Sequence, residues 1–354
     1  DKKQFPNVVA RIKGQNNFWG NNTNNMNFDA IVGNPPYQVL DGGAGVSSSP
    51  IYNHFVKLCK SIDANHITMI MPAKWYTDGK GLDKFRDEMF SDKSIRKLVD
   101  FTDSRYCFDN VDIAGGVCYF HRDKAYKGDC EFVSIHNGAK SSVMRDLSES
   151  YDFIRHIGAI SIIEKIKSAS GYYDKRVSTQ KPFGLRTYEK PLDSGDIILK
   201  CNSGKGWYNS SLISIGKDMI PQWKIIISCL TAEHAGQTDK EGRKKIISSL
   251  DLLSPNEICT ETYLVVDSFD SEIEAHNMLS YIKTQLFRFL VSQRAATQHL
   301  SKEKFGLVPL QDFTAESDID WSRSVAEIDR QLYDKYGLTE EERKFIESMI
   351  KPME

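Results

Sequence analysis

The stretch that decides the fold runs over ten residues and reads Phe28-Asp29-Ala30-Ile31-Val32-Gly33-Asn34-Pro35-Pro36-Tyr37. The apolar run 30–32 predicts a buried β-strand, and the glycine after it lets the backbone leave that strand sharply. Each proline fixes its own φ at about −65° and pushes the preceding residue into an extended conformation. The sequence therefore predicts that Asn34 and Pro35 are held stiffly at the carboxyl end of a strand, where open α/β sheets bind their ligands.

The loop after this strand is rich in hydrogen-bond acceptors, because neither proline has an N–H group. The side-chain oxygen of Asn34 and the carbonyl of Pro35 can converge on one group that carries two hydrogens. An exocyclic amine such as N6 of adenine is such a group. Tyr37 offers a flat ring on which a base can stack. The alternative is a simple Pro-Pro turn followed by a surface tyrosine.

The segment Asn34-Pro35-Pro36-Tyr37 after an apolar strand resembles the signature of the amino-methyltransferases that use S-adenosylmethionine, in particular the gamma-class DNA N6-adenine methyltransferases. The resemblance implies that these four residues form the catalytic motif. Asn34 and Pro35 would hold the target amino group, and Tyr37 would stack on the flipped base. Ribosomal-RNA and protein-glutamine methyltransferases carry close versions of the motif, so RNA or protein methylation is an alternative. A non-enzymatic DNA-binding or specificity module is another.

The cofactor half of such a site is not recognisable in the sequence. A methyltransferase of this type needs a glycine-rich turn after its first strand, and nothing before Asp29 resembles one. In the gamma class the cofactor motifs precede the catalytic motif, so the main S-adenosylmethionine motif is expected upstream of residue 1. The chain is then expected to be a fragment, or a degenerate relative, that is inactive by itself. The Gly- and Ser-rich segment 41–49 predicts a mobile loop that could act as a lid.

The length of 354 residues predicts two domains and a tail. Strands alternate with helices in the first part, which indicates an α/β fold with a largely parallel sheet. We expect a partial Rossmann-like methyltransferase domain over 1–150, an α+β domain over 151–311 and an acidic helical tail over 312–354. Segments 181–187 and 260–310 resemble restriction–modification methyltransferases that are fused to helicase or nuclease domains, which implies that the second domain is a target-recognition domain.

The charge distribution points to a nucleic-acid partner more clearly than the net charge of −2 does. Residues 151–250 hold 16 Lys and Arg against 10 Asp and Glu, whereas residues 311–354 hold 6 against 12. A basic middle segment is typical of phosphate contacts to double-stranded DNA, although it can equally be a solvated surface. The candidate DNA-binding residues are Lys181, Arg186, Arg243, Lys244, Lys283, Arg288 and Arg294.

Several local predictions complete this interpretation. Phe108, in the loop before a strand at 117–120, is the candidate for a second aromatic near the flipped base, and a core phenylalanine is the alternative. Residues 51–61 predict an amphipathic helix with Ile51, Phe55 and Leu58 inward. Residues 139–150 are polar and linker-like, residues 277–296 predict one helix, and Thr339 with Glu342 predicts a capping box.

Other classes of protein are disfavoured by the sequence. No run approaches 18 uninterrupted apolar residues, so no membrane span is expected. The N-terminus has no signal-peptide character. Seven scattered cysteines without a Cys-x-x-Cys pair indicate reduced thiols in a cytoplasmic protein and no metal site.

Overall fold

The computed structural model describes residues 28–41, 47–77, 81–109, 111–148, 153–167, 170–232, 238–295 and 298–353. The chain divides into two compact units, Asp1–Ile157 and Gly158–Glu354. Within the described ranges, no helix is both long and apolar enough to cross a membrane.

The first unit alternates strands with two α-helices. Its strands are β1 (Ala30–Gly33), β2 (Gln38–Asp41), β3 (Ser47–Pro50), β4 (His66–Pro72), β5 (Ile95–Phe101), β6 (Val117–Asp123), β7 (Cys130–His136) and β8 (Ala139–Arg145). Its helices are α1 (Tyr52–Ile62) and α2 (Asp83–Phe90), with 3-10 turns at Ala73–Tyr76, Ser104–Tyr106 and Ile157–Ala159. The predicted α/β class is therefore confirmed.

Six of these strands form one sheet in the order β1-β4-β6-β5-β7-β8. The pairs β1–β4 and β5–β7 are parallel, whereas β4–β6, β5–β6 and β7–β8 are antiparallel. The prediction of a largely parallel sheet is thus wrong, and the sheet is mixed. The last pair is a hairpin whose two-residue turn, Asn137-Gly138, has φ values of 49° and 77°, as tight hairpins require.

The strand that opens the described sheet is less buried than its apolar sequence predicts. Val32 is 79% exposed, and β1 pairs only with β4 among the described strands. The predicted strand is present, but the prediction that it is buried is wrong: Ala30 and Val32, which lie on one face of the strand, are exposed, and Ile31 on the other face is half-buried.

Three further local predictions need correction. The predicted loop 41–49 is partly strand, because β2 and β3 pair as an antiparallel hairpin that includes residues 41 and 47–49. Residues 42–46 of that loop lie outside the described residues. The predicted linker 139–150 begins with β8, which pairs with β7 along its whole length. In α1 the buried residues are Tyr52, Asn53, Val56 and Cys59, so the inward face is rotated by one residue from the prediction.

The core of the first unit lies between the sheet and its helices. Trp75, Phe85, Phe120 and Phe132 are fully buried in one apolar cluster. Trp75 packs edge-on against Phe85 at 5.6 Å between ring centroids, and its indole N–H donates to the thiol of Cys118 at 3.4 Å. These contacts anchor the turn that follows β4, as expected for a structural tryptophan.

The second unit mixes two small sheets with helices. Its strands are β9 (Ile197–Cys201), β10 (Gly204–Tyr208), β11 (Trp223–Ser228), β12 (Leu250–Leu253), β13 (Glu257–Cys259) and β14 (Tyr263–Phe269). Its helices are α3 (Ile160–Ile166), α4 (Glu272–Lys283), α5 (Gln285–Arg294), α6 (Val325–Lys335) and α7 (Glu340–Met349), with 3-10 turns at Tyr173–Lys175, Ser210–Leu212, Lys217–Met219 and Lys302–Phe305. The sheets have the orders β10-β9-β13 and β12-β11-β14.

The predicted helix 277–296 is in fact two helices that break at Thr284. The backbone of Thr284 is extended, and its hydroxyl caps α5 by accepting the N–H of Phe287 at 3.2 Å. Threonine favours such a cap because its side-chain oxygen replaces a missing intrahelical partner. The predicted capping box of Thr339 and Glu342 is confirmed at the start of α7.

Residues 312–354 pack as part of the second unit, so the structure does not separate the predicted tail as a domain. Asp329 on α6 accepts the N–H groups of Gln285 and Leu286 at 2.8 and 3.0 Å. Lys165 on α3 bonds Glu342 at 2.6 Å. The carboxylate of Asp329 on α6 thus caps α5 in addition to the hydroxyl of Thr284, and the acidic segment serves the packing of this unit.

Asp329 makes the stability of the second unit depend on pH. The pKa of its carboxyl is raised from 3.8 to about 6, because the effects of burial and of the charge of Glu347 exceed the opposing effects of two backbone N–H bonds and Arg288. The folded state therefore binds a proton that the unfolded state releases between pH 3.8 and 6, so its stability falls as the pH rises through this window. Relative to Asp329→Asn, we expect the wild-type free energy of unfolding to fall by about 3 kcal/mol between pH 4 and pH 7. Urea unfolding of both proteins measures this, and a pH-independent difference would contradict the prediction.

Candidate active site

Residues 34–37 follow directly after β1 and have no regular secondary structure. Asn34 and Pro36 are exposed, Pro35 is buried and Tyr37 is half-buried. The carbonyl of Tyr37 accepts the N–H of Ile51 at 3.2 Å, which ties the motif to the end of the β2–β3 hairpin. The structure therefore presents the Asn34 side chain at the surface while Pro35 is anchored in the protein.

The motif lies at an edge of the sheet where three strands end. Strand β4 runs parallel to β1, and β4 and β5 both run antiparallel to β6, so all three point the same way. Three segments consequently leave the sheet together, at the carboxyl ends of these parallel strands. They are residues 34–37 after β1, the turn 73–76 after β4 and the segment that begins at residue 102 after β5. The N–H of Ala73 donates to the carbonyl of Gly116 at 3.1 Å, which joins the last two of these segments. This is the carboxyl edge at which such sheets bind ligands.

The hydroxyl of Tyr37 points into the protein toward two thiols. Burial raises the pKa of Tyr37, and Cys107 and then Cys118 raise it further. Within the described residues this buried hydroxyl has no hydrogen-bond partner. The half-buried ring therefore has its polar end inside the protein, and its neighbour Cys107 directly precedes Phe108. Phe108 is half-buried and lies in the segment after β5. Because β1 and β5 point the same way, both predicted aromatic residues follow the carboxyl ends of strands at the same end of the sheet.

Two variants distinguish the contribution of the Tyr37 ring to activity from that of its hydroxyl. Tyr37→Phe keeps the ring and removes an unsatisfied buried group, so we expect unchanged stability and activity. Tyr37→Ala removes the stacking surface, and we expect activity to fall about 10- to 100-fold. Initial methylation rates and thermal unfolding of both proteins measure this. Equal losses in the two variants would show that the hydroxyl, and not the ring, is required.

The candidate DNA-binding residues fall into distinct environments. Lys181 and Arg186 lie together on either side of Glu261, at 4.0 and 3.6 Å from its carboxylate. Arg243 pairs with Asp239 and Glu241 at 3.5 and 3.3 Å. The structure therefore brings together only the first two of these three basic residues.

The remaining candidates lie close to the helices and the C-terminal segment. Lys244 is half-buried, and its backbone N–H donates to the carbonyl of Met349 at 2.8 Å. Lys283 is half-buried at the end of α4. Arg294 donates to the carbonyl of Glu303, and a Cβ on Gly306 would lie 1.9 Å from its guanidinium, so Gly306 leaves the space that Arg294 fills.

The prediction that Arg288 contacts phosphate is wrong. Its side chain is fully buried. Its guanidinium donates to four backbone carbonyls, those of Lys245, Lys283, Thr284 and Lys351. A guanidinium has five N–H donors in a fixed fork, which suits this bridging role between α5, the end of α4 and two other segments.

The sequence reasoning missed a buried ion pair behind the candidate site. Arg155 donates two hydrogen bonds to the carboxylate of Asp100 on β5, at 2.7 and 2.8 Å, and a third to the carbonyl of Gly115 at 2.7 Å. An aspartate inside the apolar strand Leu98-Val99-Asp100-Phe101 signals that a buried charge needs a partner. Nothing in the sequence identifies Arg155, 55 residues away, as that partner.

Comparisons with known proteins find sequence similarity to methylases. Residues 1–108 match the family model of the Eco57I restriction-modification methylase. An uncharacterized adenine-specific methylase from Mycoplasma pneumoniae is 35% identical over 115 residues, which are 32% of this chain and 27% of that protein. The chain thus spans about a quarter of the curated relative that it matches.

Two solved structures have weaker similarity. The type IIL restriction-modification enzyme MmeI in complex with DNA aligns with 90% of this chain and 57% of its own, at 10% identity and a TM-score of 0.42. The type IIG restriction endonuclease BpuSI aligns with 80% of this chain and 44% of its own, at 10% identity and a TM-score of 0.34.

The first part of the chain is similar in sequence to restriction–modification methylases, over residues 1–108. This match agrees with the class of protein that the motif at residues 34–37 resembles.

Proposed function

We propose that this chain carries the base-binding half and the target-recognition domain of a site-specific DNA adenine N6-methyltransferase from a restriction–modification enzyme. The observation that carries the proposal is the motif itself, with Asn34 exposed and Pro35 buried at the carboxyl edge of the sheet. The name of the Mycoplasma pneumoniae relative supports adenine as the target, and the restriction–modification family supports DNA as the substrate.

The chemistry assigned to Asn34 and Pro35 is positioning and polarisation. The amino group of adenine is a poor nucleophile, because its lone pair is delocalised into the ring. The side-chain oxygen of Asn34 and the carbonyl of Pro35 accept one N–H hydrogen each, which favours a pyramidal nitrogen with its lone pair directed at the methyl group. Fixed acceptors of this kind act without a general base of shifted pKa.

Tyr37 and Phe108 are assigned to the flipped base. An adenine must leave the duplex before its amino group can reach Asn34, and this costs a few kcal/mol. Stacking on an aromatic ring recovers about 1–3 kcal/mol of that cost. Tyr37 suits this role because its hydroxyl end is buried in the protein while the residue as a whole stays partly accessible.

S-adenosylmethionine is the methyl donor in this proposal, and it supplies an electrophilic methyl group on a sulfonium. The described residues at the carboxyl edge do not include a glycine-rich strand-to-helix turn that could cradle it. Gly33 ends β1 against the Met69 side chain, and Gly115 and Gly116 belong to the segment before β6. These described residues therefore do not fit the donor.

The second unit is assigned to recognition of double-stranded DNA. Lys181 and Arg186 form its best-supported phosphate contact, because they converge on one acidic partner, Glu261, that a phosphate can replace. Nuclease or helicase domains are the partners proposed within the same polypeptide.

Transfer of a labelled methyl group tests the substrate class. The complete product of the native gene is expressed and incubated with methyl-labelled S-adenosylmethionine. DNA, RNA and protein from a host that lacks adenine methylation are supplied as separate substrates. The proposal predicts label in DNA alone. Label in RNA or protein without label in DNA would contradict it and support the other amino-methyltransferases.

A further inference from the structure

The segment between β5 and β6 carries Cys107 and Phe108 past the candidate site. It leaves the sheet at the same edge as residues 34–37, since β1 and β5 point the same way. Cys107 lies close enough to Tyr37 to affect the ionisation of its hydroxyl. The segment therefore lies near the hydroxyl end of Tyr37.

A single buried hydroxyl folds this segment back on itself. Ser104 is 1% exposed. Its hydroxyl donates to the carbonyl of Val111 at 2.8 Å and accepts the N–H of Ile113 at 2.9 Å. Its carbonyl accepts the N–H groups of Cys107 and Phe108 at 2.9 and 2.8 Å. One residue thus fixes both the turn that bears Phe108 and the chain that returns from it.

The far end of the segment is fixed by the backbone and by Arg155. Arg155 holds the carbonyl of Gly115 while its other donors are held by Asp100. Gly116 has a φ of +77°, and a Cβ there would lie 2.1 Å from the carbonyl oxygen of Phe101. The returning chain must therefore pass close to β5, and only glycine allows this approach.

We propose that Ser104 is a positioning residue of this site: its hydroxyl holds residues 107–109 and 111–113 near Tyr37, so that Phe108 forms the second wall of the pocket for a planar base. Arg155 supports this position from the other end, through Gly115. The role of the pocket rests on the proposed function, whereas the position of the segment does not.

The reactivity of the Cys107 thiol measures whether this segment stays in place. All seven cysteines lie in the described part of the chain and are free; six are buried and Cys107 is half-buried. A thiol reagent applied to the native protein should therefore modify Cys107 first, at one label per chain. Mass spectrometry counts the labels and identifies the modified residue.

Ser104→Ala is the test variant, and Ser134→Ala is its matched control. Ser134 is also buried in the first unit, at 2% exposure, but its hydroxyl has no partner among the described residues. We expect Ser104→Ala to raise the labelling rate of Cys107 about tenfold, because two hydrogen bonds that close the segment are lost. Ser134→Ala should label at the wild-type rate.

Methylation measures the consequence for the site. In Ser104→Ala we expect kcat to fall about tenfold with unchanged affinity for DNA, since a displaced Phe108 weakens stacking of the flipped base. Ser134→Ala should retain wild-type kcat. One label per chain shows that only this segment has opened. Labelling of Cys59, Cys118 and Cys130, the three buried thiols of the first unit, would show that Ser104→Ala unfolds that unit and would overturn the proposal.

The outcomes separate the two hypotheses. An unchanged labelling rate in Ser104→Ala overturns the positioning role, whatever the activity. Faster labelling with unchanged kcat overturns the role of the segment in the pocket. Lack of any methylation by the complete product of the native gene would contradict the proposed function, and the labelling rates would still decide whether Ser104 holds the segment.

Discussion

Asn34→Ala is expected to lower the methylation rate by about 10²–10³-fold, and it should leave the affinity for DNA unchanged. The loss follows because the amino group of the target base would keep only one of its two acceptors, and a single directed hydrogen bond at a reacting group contributes this much. Asn34 is exposed, so its removal does not open the core. Initial rates of methyl transfer and DNA binding by fluorescence anisotropy measure the two effects separately.

Asn34→Asp is the matched variant, since it keeps a side-chain oxygen at the same position. We expect it to retain more activity than Asn34→Ala. If Asn34→Ala methylates DNA at the wild-type rate, the motif does not hold the amino group and the assignment of the site is wrong.

Arg155→Met is expected to destabilise the first unit by about 3–5 kcal/mol, because it leaves the buried carboxylate of Asp100 without its partner. Asp100 is fully buried, and burial raises its pKa while the charge of Arg155 opposes that rise. Losses of this size are a large fraction of the stability of a typical domain. Urea unfolding followed by circular dichroism measures the change.

Arg105→Met serves as the control for Arg155→Met. Arg105 also pairs with an aspartate, Asp103, but its side chain is 48% exposed, so we expect a loss of less than about 1 kcal/mol. The double variant Asp100→Leu/Arg155→Met should recover part of the lost stability, because no unpaired charge is then buried. Equal effects of Arg155→Met and Arg105→Met would contradict the importance of the buried pair.

The sequence predicted the site best where the local rules are strict. A strand, a glycine and two prolines leave few backbone conformations, and the structure indeed has Asn34 to Tyr37 at the end of β1. The capping box of Thr339 and Glu342 was equally predictable, because both of its bonds are local. The α/β class followed from the alternation of apolar strands with helices.

The wrong predictions concern features that depend on contacts between residues far apart in the sequence. The burial of Arg288 depends on carbonyls from Lys245 and Lys351, which no local pattern indicates. The exposure of Val32 depends on which strands flank β1. By contrast, β8 was missed although the Asn137-Gly138 pair that turns the chain into it is a local hairpin signal.

The identity of the methylated nucleoside tests the central claim most directly. The complete product of the native gene is expressed in a host without DNA methylation of its own. The host DNA is then hydrolysed and analysed by nucleoside mass spectrometry. The account predicts N6-methyladenine, which disappears with Asn34→Ala. N4-methylcytosine, or no methylated nucleoside at all, would contradict the claim that the motif at the end of β1 acts on adenine in DNA.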